Sequence, residues 1–169
     1  MRRCVRNIGL FAAALIALHA SAAAAFTRSE KLEILAAHNR YRIEVGVPAL
    51  KWSNDLSATA LQWARHLAEV HVFQHSGALG AGENLAMWTA GHASLTQLVD
   101  LWGAEKRFFV EAHFPDVSTI GDWRTVGHYT QIVWRDTTEV GCGRSTGGGY
   151  DFLVCQYAPQ GNFMGRRVF

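Results

Sequence analysis

The sequence predicts an α+β fold, an α-β-α sandwich in which a small antiparallel sheet is flanked by helices on both faces. Two stretches, 128–134 and 150–157, show the alternation of side chains that is typical of strands. A glycine-rich loop at 145–149 precedes the second stretch, so the two strands are predicted to form a β-hairpin. Because the first strand carries β-branched and aromatic residues on both of its faces, it is expected to be covered on both sides. Three other segments have apolar residues at helical spacing and supply the covering layers.

The first 25 residues are predicted to be a signal peptide, which leaves residues 26–169 as one domain. Three arginines within the first six residues precede an apolar run at 8–20, and an Ala-x-Ala cleavage pattern ends at Ala25. The apolar run is short for a bilayer span and no later stretch is long enough, so no transmembrane segment is expected after cleavage. The protein is therefore predicted to be secreted or periplasmic, with an uncleaved anchor as the alternative.

The composition of the mature chain bears on its partners and on its cysteines. The signal peptide holds three of the 16 basic residues, which leaves 13 against 14 acidic residues and a formal net charge of −1. This balance gives no reason to expect a nucleic-acid surface. Two cysteines remain, Cys142 and Cys155, and an even pair in an exported protein favours a disulfide, which contributes about 3 kcal/mol in the chain-entropy model. Two free, buried thiols are the alternative.

The first two helices are predicted from capping residues and apolar stripes. The first begins at Thr27, because Glu30 three residues later completes a capping-box pattern, and it continues to about Arg42. The second is capped by Ser53 or Asn54 and carries leucine, alanine and tryptophan at helical spacing on one face. Both helices are therefore expected to bury one face in the core.

A third helix is predicted at about 94–109, between two segments that are predicted to be loops. The preceding segment, 72–91, is dense in glycine, and the following one, 110–126, lacks periodicity. Glu105 lies three residues after Trp102 and therefore on the same, inward side of the helix. A carboxylate in that position needs a cation, a metal ion or hydrogen-bond donors.

Two longer motifs carry a family resemblance. Residues 127–137 (GHYTQIVWRDT) resemble the first signature of the CAP superfamily, which comprises cysteine-rich secretory proteins, insect antigen 5 and plant pathogenesis-related 1 proteins. Residues 152–163 (FLVCQYAPQGNF) resemble its second signature, and shorter matches extend the resemblance over about 38–162. With two mature cysteines and no cysteine-rich C-terminal module, the chain resembles a compact exported member of bacterial type. A fold of this kind does not by itself imply an activity.

The resemblance also selects four candidate site residues. Two histidines and two glutamates resemble the tetrad that surrounds the central cleft of CAP proteins: His75, Glu83, Glu105 and His128. Neutral imidazoles are good ligands for zinc, and the carboxylates are expected either to complete the metal shell or to hold the histidines through their other ring nitrogens. Open positions would be left to water, so a labile site for Zn²⁺ or another divalent cation is predicted. The alternatives are a glutamate-rich site for calcium or magnesium and a purely structural ion network.

The resemblance implies binding rather than catalysis. CAP proteins are associated with sterols, fatty acids and other lipids, and with host defence or virulence. An apolar ligand platform is therefore predicted from four aromatic residues that precede His128, with plain coverage of the sheet as the alternative: Phe108, Phe109, Phe114 and Trp123.

Two other functions remain as alternatives to the binding of a lipid or similar apolar molecule. The first is a metal-dependent hydrolase in which Glu83 or Glu105 acts as the base. The second is a protein-interaction module whose cleft binds a peptide. Lipid pull-down separates lipid binding from the peptide module, and turnover that is lost on chelation would identify the hydrolase.

Overall fold

The computed structural model describes residues 24–77 and 79–169. The predicted signal peptide lies outside these residues except for Ala24 and Ala25. No helix in the described part of the chain combines the length and the hydropathy that crossing a membrane requires. The helices and strands, in chain order, are α1 (Arg28–Glu44), β1 (Lys51–Trp52), α2 (Asn54–Val70), β2 (Gly82–Thr89), α3 (Leu95–Gly103), α4 (Gly127–Ile132), β3 (Glu139–Gly147) and β4 (Tyr150–Ala158). Short 3₁₀ helices lie at Ala104–Phe108 and Trp123–Thr125.

The four strands form one sheet in the order β1-β3-β4-β2. The three long strands are antiparallel, as predicted, whereas the two-residue β1 pairs with β3 in parallel. Cys142 of β3 lies directly opposite Cys155 of β4, and the two form the predicted disulfide. Both sulfurs belong to the buried core, so the bond lies inside the sandwich.

The two faces of the sheet are covered by different helices, which confirms the predicted sandwich. On β4, Phe152 and Val154 pack with the buried residues of α2 on one face. Leu153 and Tyr157 point to the opposite face, where they join the core residues of α1, α3 and α4. Helix α2 lies very close to β3, since a Cβ built on Gly143 would lie 2.2 Å from the Cα of Leu61. Glycine at this strand position therefore permits the close approach of helix and sheet.

The helix starts agree with the sequence-based expectations. Thr27 and Glu30 form the predicted capping box of α1, and Ser53 caps α2 by accepting a hydrogen bond from the backbone of Leu56. Ser94 caps α3 through a second capping box, and the predicted third helix continues beyond α3 as the 3₁₀ helix Ala104–Phe108. Local side-chain signals were thus sufficient to place these helices.

The predicted strand at 128–134 is wrong, because most of this segment forms helix α4. The true partner of β4 in the hairpin is β3, which starts later in the chain. The side chains of 129–132 are all buried, so the segment is covered on both sides, as expected. It is covered as a helix that lies within the core and not as a strand. Gly148 and Gly149 alone form the hairpin tip, and both have positive φ, as a two-residue primed turn requires.

The predicted loop at 72–91 is also partly wrong, because its second half forms strand β2. This strand pairs with β4 over its whole length, from Gly82 opposite Tyr157 to Thr89 opposite Tyr150. The burial of its side chains does not alternate, since Asn84, Leu85 and Ala86 are all buried, so the period-two signal of a strand is missing here. Glu83 lies on this strand of the sheet and not on a loop.

Candidate functional site

A cleft of about 520 Å³ lies at the end of the sheet where β2 begins and β4 ends. It is bounded by the segment before β2, by the start of α4 and by the chain that comes after β4. The residues that line it include three of the four tetrad residues and several amides: His75, Glu83, Asn84, Trp123, Arg124, His128, Gln131, Gln160, Gly161 and Asn162. Its volume lies within the range that is usual for small-molecule sites.

The first half of the site is a pair formed by His75 and Glu83. Nδ1 of His75 lies 2.9 Å from Oε1 of Glu83, and the same oxygen accepts a hydrogen bond from the backbone N–H of Ser76 at 2.8 Å. The other oxygen accepts from the side-chain amide of Gln156 on β4 at 3.1 Å. A carboxylate can only accept, so Nδ1 of His75 must carry the proton. Nε2 is then the nitrogen that is available as a ligand.

These hydrogen bonds change the acidity of Glu83. Burial raises the pKa of this carboxyl, but hydrogen bonds from His75, Ser76 and Gln156 outweigh burial and lower the pKa to about 2. The side chain of Glu83 is only 9% exposed, while that of His75 is 59% exposed. Glu83 is therefore a fixed, ionised acceptor beneath a more accessible imidazole.

The second half of the site is a pair formed by His128 and Glu105. Nδ1 of His128 lies 2.7 Å from Oε1 of Glu105, which requires the same Nδ1-protonated ring. The other oxygen of Glu105 accepts from the backbone N–H groups of His128 and Tyr129, at 3.0 and 3.1 Å. Glu105 thus also satisfies donors in the first turn of α4, where a negative charge is favourable. The imidazole of His128 stacks on the indole of Trp102, with ring centroids 6.2 Å apart, so its orientation is fixed from two sides.

The floor of the cleft is built by Gln131 of α4. Its Oε1 accepts from the backbone N–H of Gly161 at 2.8 Å, and its Nε2 donates to the hydroxyl of Thr137 at 3.2 Å. A Cβ on Gly82 would lie 2.0 Å from this Oε1, so a side chain at that position would displace the amide. Both ends of the Gln131 amide are therefore hydrogen-bonded within the protein, and they join α4 to the segment before β3 and to the segment after β4.

A buried chain of hydrogen bonds connects the cleft to α1. The side-chain amide of Asn84 donates to the backbone carbonyl of His128 and to the hydroxyl of Tyr157, both at 3.1 Å. That hydroxyl lies 2.9 Å from Nε2 of His38, and Nδ1 of His38 lies 2.8 Å from the carbonyl of Ile34. Because the carbonyl can only accept, His38 carries its proton on Nδ1 and accepts from Tyr157. The network therefore holds the backbone of His128 in place.

The end of α4 is stabilised by a buried arginine of α1. Arg42 donates hydrogen bonds to the carbonyls of Ile132 and Trp134, at 2.8 and 2.9 Å, and to those of Pro48 and Thr137. The ion pairs formed by residues 24–77 and 79–169 do not include Arg42. Burial lowers the pKa of its guanidinium to about 10. This cation therefore satisfies four carbonyl groups instead of a carboxylate.

The structure arranges the four predicted tetrad residues as two separate His–Glu pairs, with His75, Glu83 and His128 lining the cleft and Glu105 bonded to His128 outside its lining. No three His, Cys, Asp or Glu side chains within the described ranges come together as a ligand group for a metal ion. Among the alternatives stated from the sequence, the geometry corresponds to the one in which each carboxylate holds a histidine through Nδ1. Each of the four oxygens of these glutamates accepts at least one hydrogen bond, so both carboxylates also hold neighbouring groups in place.

The predicted aromatic platform is only partly accessible. Phe114 is 1% exposed and belongs to the core, so its assignment to an exposed platform is wrong. Phe108 and Phe109 are half-buried and pack against the core, and Phe109 stacks edge-on with Tyr129. Trp123 alone among the four residues lines the cleft. Phe114 packs on Trp123 from behind, with ring centroids 5.1 Å apart, and so supports that wall of the cleft.

Several residues that build the site were not found from the sequence. Arg42, Asn84 and Gln131 lie within or beside matched motifs, but their partners are distant in the chain and no local pattern reveals them. A buried position for a polar residue inside a motif is the one signal that could have selected them.

Comparison with known proteins gives consistent matches. The family model of the cysteine-rich secretory protein family, CAP, matches residues 35–157. A pathogenesis-related protein of PR-1 type from Sambucus nigra is 35% identical over 134 residues, which cover 79% of this chain and 78% of that protein. Venom allergen 5 from Vespa mandarinia is 31% identical and covers 87% of this chain and 83% of its own length. The crystal structure of NaASP2 with Zn²⁺ matches with a TM-score of 0.75 at 25% identity, over 86% of this chain and 87% of that one.

Proposed function

The chain belongs to the cysteine-rich secretory protein (CAP) family, and we propose that it is an exported, non-enzymatic binding protein. Its cleft holds a divalent cation weakly, with zinc as the best candidate, and binds a lipid-like or other apolar molecule beside it. The pathogenesis-related and allergen names of its relatives favour a role in defence or virulence. Three features support this proposal: the state of the two histidines, the wall of the cleft and the acidity of the glutamates.

The observation that carries the proposal is the matched arrangement of His75 and His128. In the neutral form of each ring, Nδ1 donates its proton to a carboxylate, so Nε2 is the nitrogen that can bind a metal, and the carboxylate raises its basicity as a ligand. Two imidazoles suit zinc, and the remaining positions would be filled by water or by an oxygen of the ligand. A bound zinc ion would supply a Lewis acid that attracts such an oxygen. With two protein ligands the cation is labile, and the likeness to NaASP2, solved with Zn²⁺, agrees with this assignment.

The wall of the cleft supports an apolar ligand. Trp123 lines the cleft, and Phe114 holds it from behind. The amide of Gln131 in the floor is already hydrogen-bonded, so it offers little to a strongly polar ligand. An indole wall next to a cation site fits a molecule with an apolar body and one oxygen-bearing end.

The acidity of the glutamates favours binding over hydrolysis. A general base works best when its pKa lies near the operating pH. Glu83 has a pKa of about 2, because the hydrogen bonds that it accepts outweigh its burial, and it is therefore a weak base. Glu105 accepts three hydrogen bonds, two of which are needed by the first turn of α4. Neither carboxylate can leave its histidine without breaking the site.

Native mass spectrometry on the mature protein, purified from the secretion fraction of its source, tests both parts of the proposal. The wild type is expected to carry a copurified apolar molecule and, with zinc added in excess, one zinc ion. The double variant His75→Ala/His128→Ala is expected to carry no zinc, because both imidazole ligands are gone. The matched control is His66→Ala/His113→Ala, which removes two exposed histidines outside the cleft and should bind zinc as the wild type does.

Equal zinc occupancy in the wild type and in His75→Ala/His128→Ala would refute the metal site. A copurified peptide in place of an apolar molecule would support the interaction module. Hydrolysis of a test ester or peptide that stops on chelation, with no ligand retained, would support the hydrolase.

A further inference from the structure

Strand β2 forms one edge of the sheet, since the order β1-β3-β4-β2 places none of the described strands on its outer side. In an antiparallel ladder, alternate residues direct their backbone N–H and C=O groups towards the partner strand and away from it. The N–H of Ala90 donates to the carbonyl of Gly149, which continues the ladder with β4, so the even-numbered residues of β2 face β4. The odd-numbered residues therefore face outwards, and the hydrogen bond from the indole N–H of Trp102 to the carbonyl of Leu85 agrees with this assignment.

The outer edge of β2 is covered at Leu85, where the indole of Trp102 occupies it, and open beyond this residue. Met87 and Thr89, the next two residues that face outwards, are exposed. The carbonyl of Thr89 accepts from the N–H of His92. Within the part of the chain that the structure describes, the N–H and C=O of Met87 and the N–H of Thr89 have no hydrogen-bond partner on this side. An edge with free backbone groups is a ready template for a further strand.

A cavity of about 510 Å³ lies next to this open edge, on the face of the sheet that α3 covers. Ala86 belongs to the core on that face, so Trp88, two residues later on the strand, points to the same face and lines the cavity. Helix α3 contributes Leu98, which is buried, and Leu101, which is 42% exposed. Trp88 itself is 45% exposed. The open edge therefore has an apolar cavity beside it, and this cavity shares no lining residue with the cleft.

The cavity is also lined by a cation without a carboxylate partner. Arg107 takes part in no ion pair formed by the residues that the structure describes, and its guanidinium lies 4.6 Å from the centroid of the Phe108 ring. The carboxylate of the lining, Asp100, is already paired with Arg40 and accepts from the hydroxyl of Tyr41 at 2.8 Å. A partner that carries a negative charge therefore complements this lining.

We propose that the open edge of β2 binds an extended peptide segment of a partner protein, which adds to the sheet as a fifth strand. The peptide residue opposite Met87 exchanges two backbone hydrogen bonds with it, and a third hydrogen bond comes from the N–H of Thr89. Because side chains alternate along a strand, the two peptide residues that flank this position point into the cavity. Apolar side chains there pack on Trp88 and Leu101, and an acidic side chain further along the peptide meets Arg107. In this mode of recognition, backbone hydrogen bonds provide affinity and alternate side chains provide specificity.

A partner segment fits the edge better than a second copy of this chain. Two copies paired along β2 would bring two Arg107 side chains to one interface, and Asp100 is not free to neutralise them. The proposal also goes beyond the function proposed for the cleft, because the tetrad plays no part in the open edge or in the cavity. Failure of either proposal therefore leaves the other standing.

Titration of the ¹⁵N-labelled mature protein with a capped peptide, acetyl-Thr-Leu-Thr-Leu-Thr-Glu-amide, followed by NMR, tests this proposal. Both leucines and the glutamate lie on one face of the extended peptide, and the threonine between the leucines is placed to pair with Met87. The backbone N–H signals of Met87 and Thr89 and the indole signal of Trp88 are expected to shift saturably. Exchange of these two amides with deuterium is expected to slow at saturation, because each gains a hydrogen-bond acceptor.

Two altered peptides separate the backbone contacts from the charge. Methylation of the backbone nitrogen of the threonine between the leucines removes its donor and is expected to weaken binding by about tenfold or more. Replacement of the glutamate by glutamine removes the charge-assisted contact and is expected to weaken binding by about tenfold. Both comparisons leave the protein unchanged, so they hold whatever a protein variant does to stability.

Two pairs of protein variants give matched comparisons. Met87→Pro removes the outward N–H, a change that an edge strand tolerates, and is expected to abolish the shifts at Thr89 and Trp88. Met87→Ala keeps the backbone groups and is expected to bind the peptide within about threefold of the wild type. Arg107→Ala is expected to weaken binding by about tenfold, whereas Arg135→Ala, which removes an exposed arginine that lines neither the cavity nor the cleft, should leave it unchanged.

The absence of saturable shifts at Met87 and Thr89 would overturn the proposal. Equal binding of the methylated peptide, or equal binding by Met87→Pro and the wild type, would do the same, because the peptide would then not pair with the edge. Shifts confined to Trp123 would place the peptide in the cleft, which would overturn the edge site and support the interaction module considered there. Shifts at Met87 that grow with protein concentration in the absence of peptide would show a second copy on the edge and would also refute the partner segment.

Discussion

Replacement of Arg42 by methionine is expected to lower the free energy of unfolding by about 3 kcal/mol or more. Methionine fills much of the same space but donates no hydrogen bond. The carbonyls of Ile132 and Thr137 would then be left without their donor in the core, whereas the carbonyl of Trp134 keeps the backbone N–H of Thr137. An orphaned buried acceptor costs about 1–3 kcal/mol, so the loss of donors to these two sets the scale of the effect. The loss also releases the end of α4, the helix that carries His128 and Gln131.

Urea denaturation of the wild type and of Arg42→Met measures this effect, and Arg40→Met is its matched control. Arg40 lies two residues earlier on α1, is largely exposed, and forms a surface ion pair with Asp100. Surface pairs contribute roughly 0–1 kcal/mol, so the control should lose no more than that. A loss in Arg42→Met as small as that of the control would contradict the role assigned to Arg42.

Acidification from pH 7 to pH 4.5 is expected to destabilise the protein by about 2 kcal/mol through His38 alone. Burial, helped by the nearby charge of Arg42, lowers the pKa of His38 from 6.5 to about 4, although its hydrogen bond to Ile34 acts in the opposite direction. The unfolded chain binds a proton at this histidine below pH 6.5, whereas the folded chain keeps it neutral until about pH 4. The stability is therefore fully present above pH 6.5 and is lost as the pH falls through this window. The pKa of Glu83 is about 2 in the folded chain, so this carboxyl adds to the loss of stability only below about pH 4.5, the ordinary pKa of a glutamate.

The test is the pH dependence of the free energy of unfolding in the wild type, in His38→Gln and in His66→Gln. His38→Gln lacks the titrating ring, so its stability should depend less on pH by the stated amount, whatever its absolute stability. His66 is exposed, and its replacement should leave the slope of the wild type unchanged. Identical slopes for all three proteins would contradict the account of His38.

Helices whose capping residues are close together in the chain could be predicted from the sequence. The prediction failed where residues far away in the chain stabilise the helix. The capping boxes at Thr27 and Ser94 involve residues three positions apart, so a sequence pattern reveals them. Helix α4 has no such signal. Its first N–H groups are satisfied by Glu105, 23 residues before His128, and its last carbonyl by Arg42, 90 residues away from Ile132. Without those partners, the alternation of 128–134 favours a strand, which is why the prediction was wrong there.

The candidate site, too, could be predicted from the sequence only in part. The resemblance selected His75, Glu83, Glu105 and His128, but only the structure shows that they form two pairs and that each glutamate holds Nδ1 of its own histidine. Phe114 could not be separated from Trp123 on the sequence alone, since both are aromatic residues in an aperiodic segment. Burial distinguishes them: Phe114 belongs to the core, and Trp123 reaches the cleft.

The most direct test of the cleft is the protonation state of its two imidazoles, measured by ¹⁵N NMR of the histidine side chains at about pH 8 with and without zinc. If the glutamates hold the rings as described, His75 and His128 are both protonated on Nδ1, and zinc shifts the Nε2 signals of these two rings. Signals that show Nε2 protonated in either ring, or zinc that perturbs other histidines and leaves these two unchanged, would contradict the proposed metal-binding cleft.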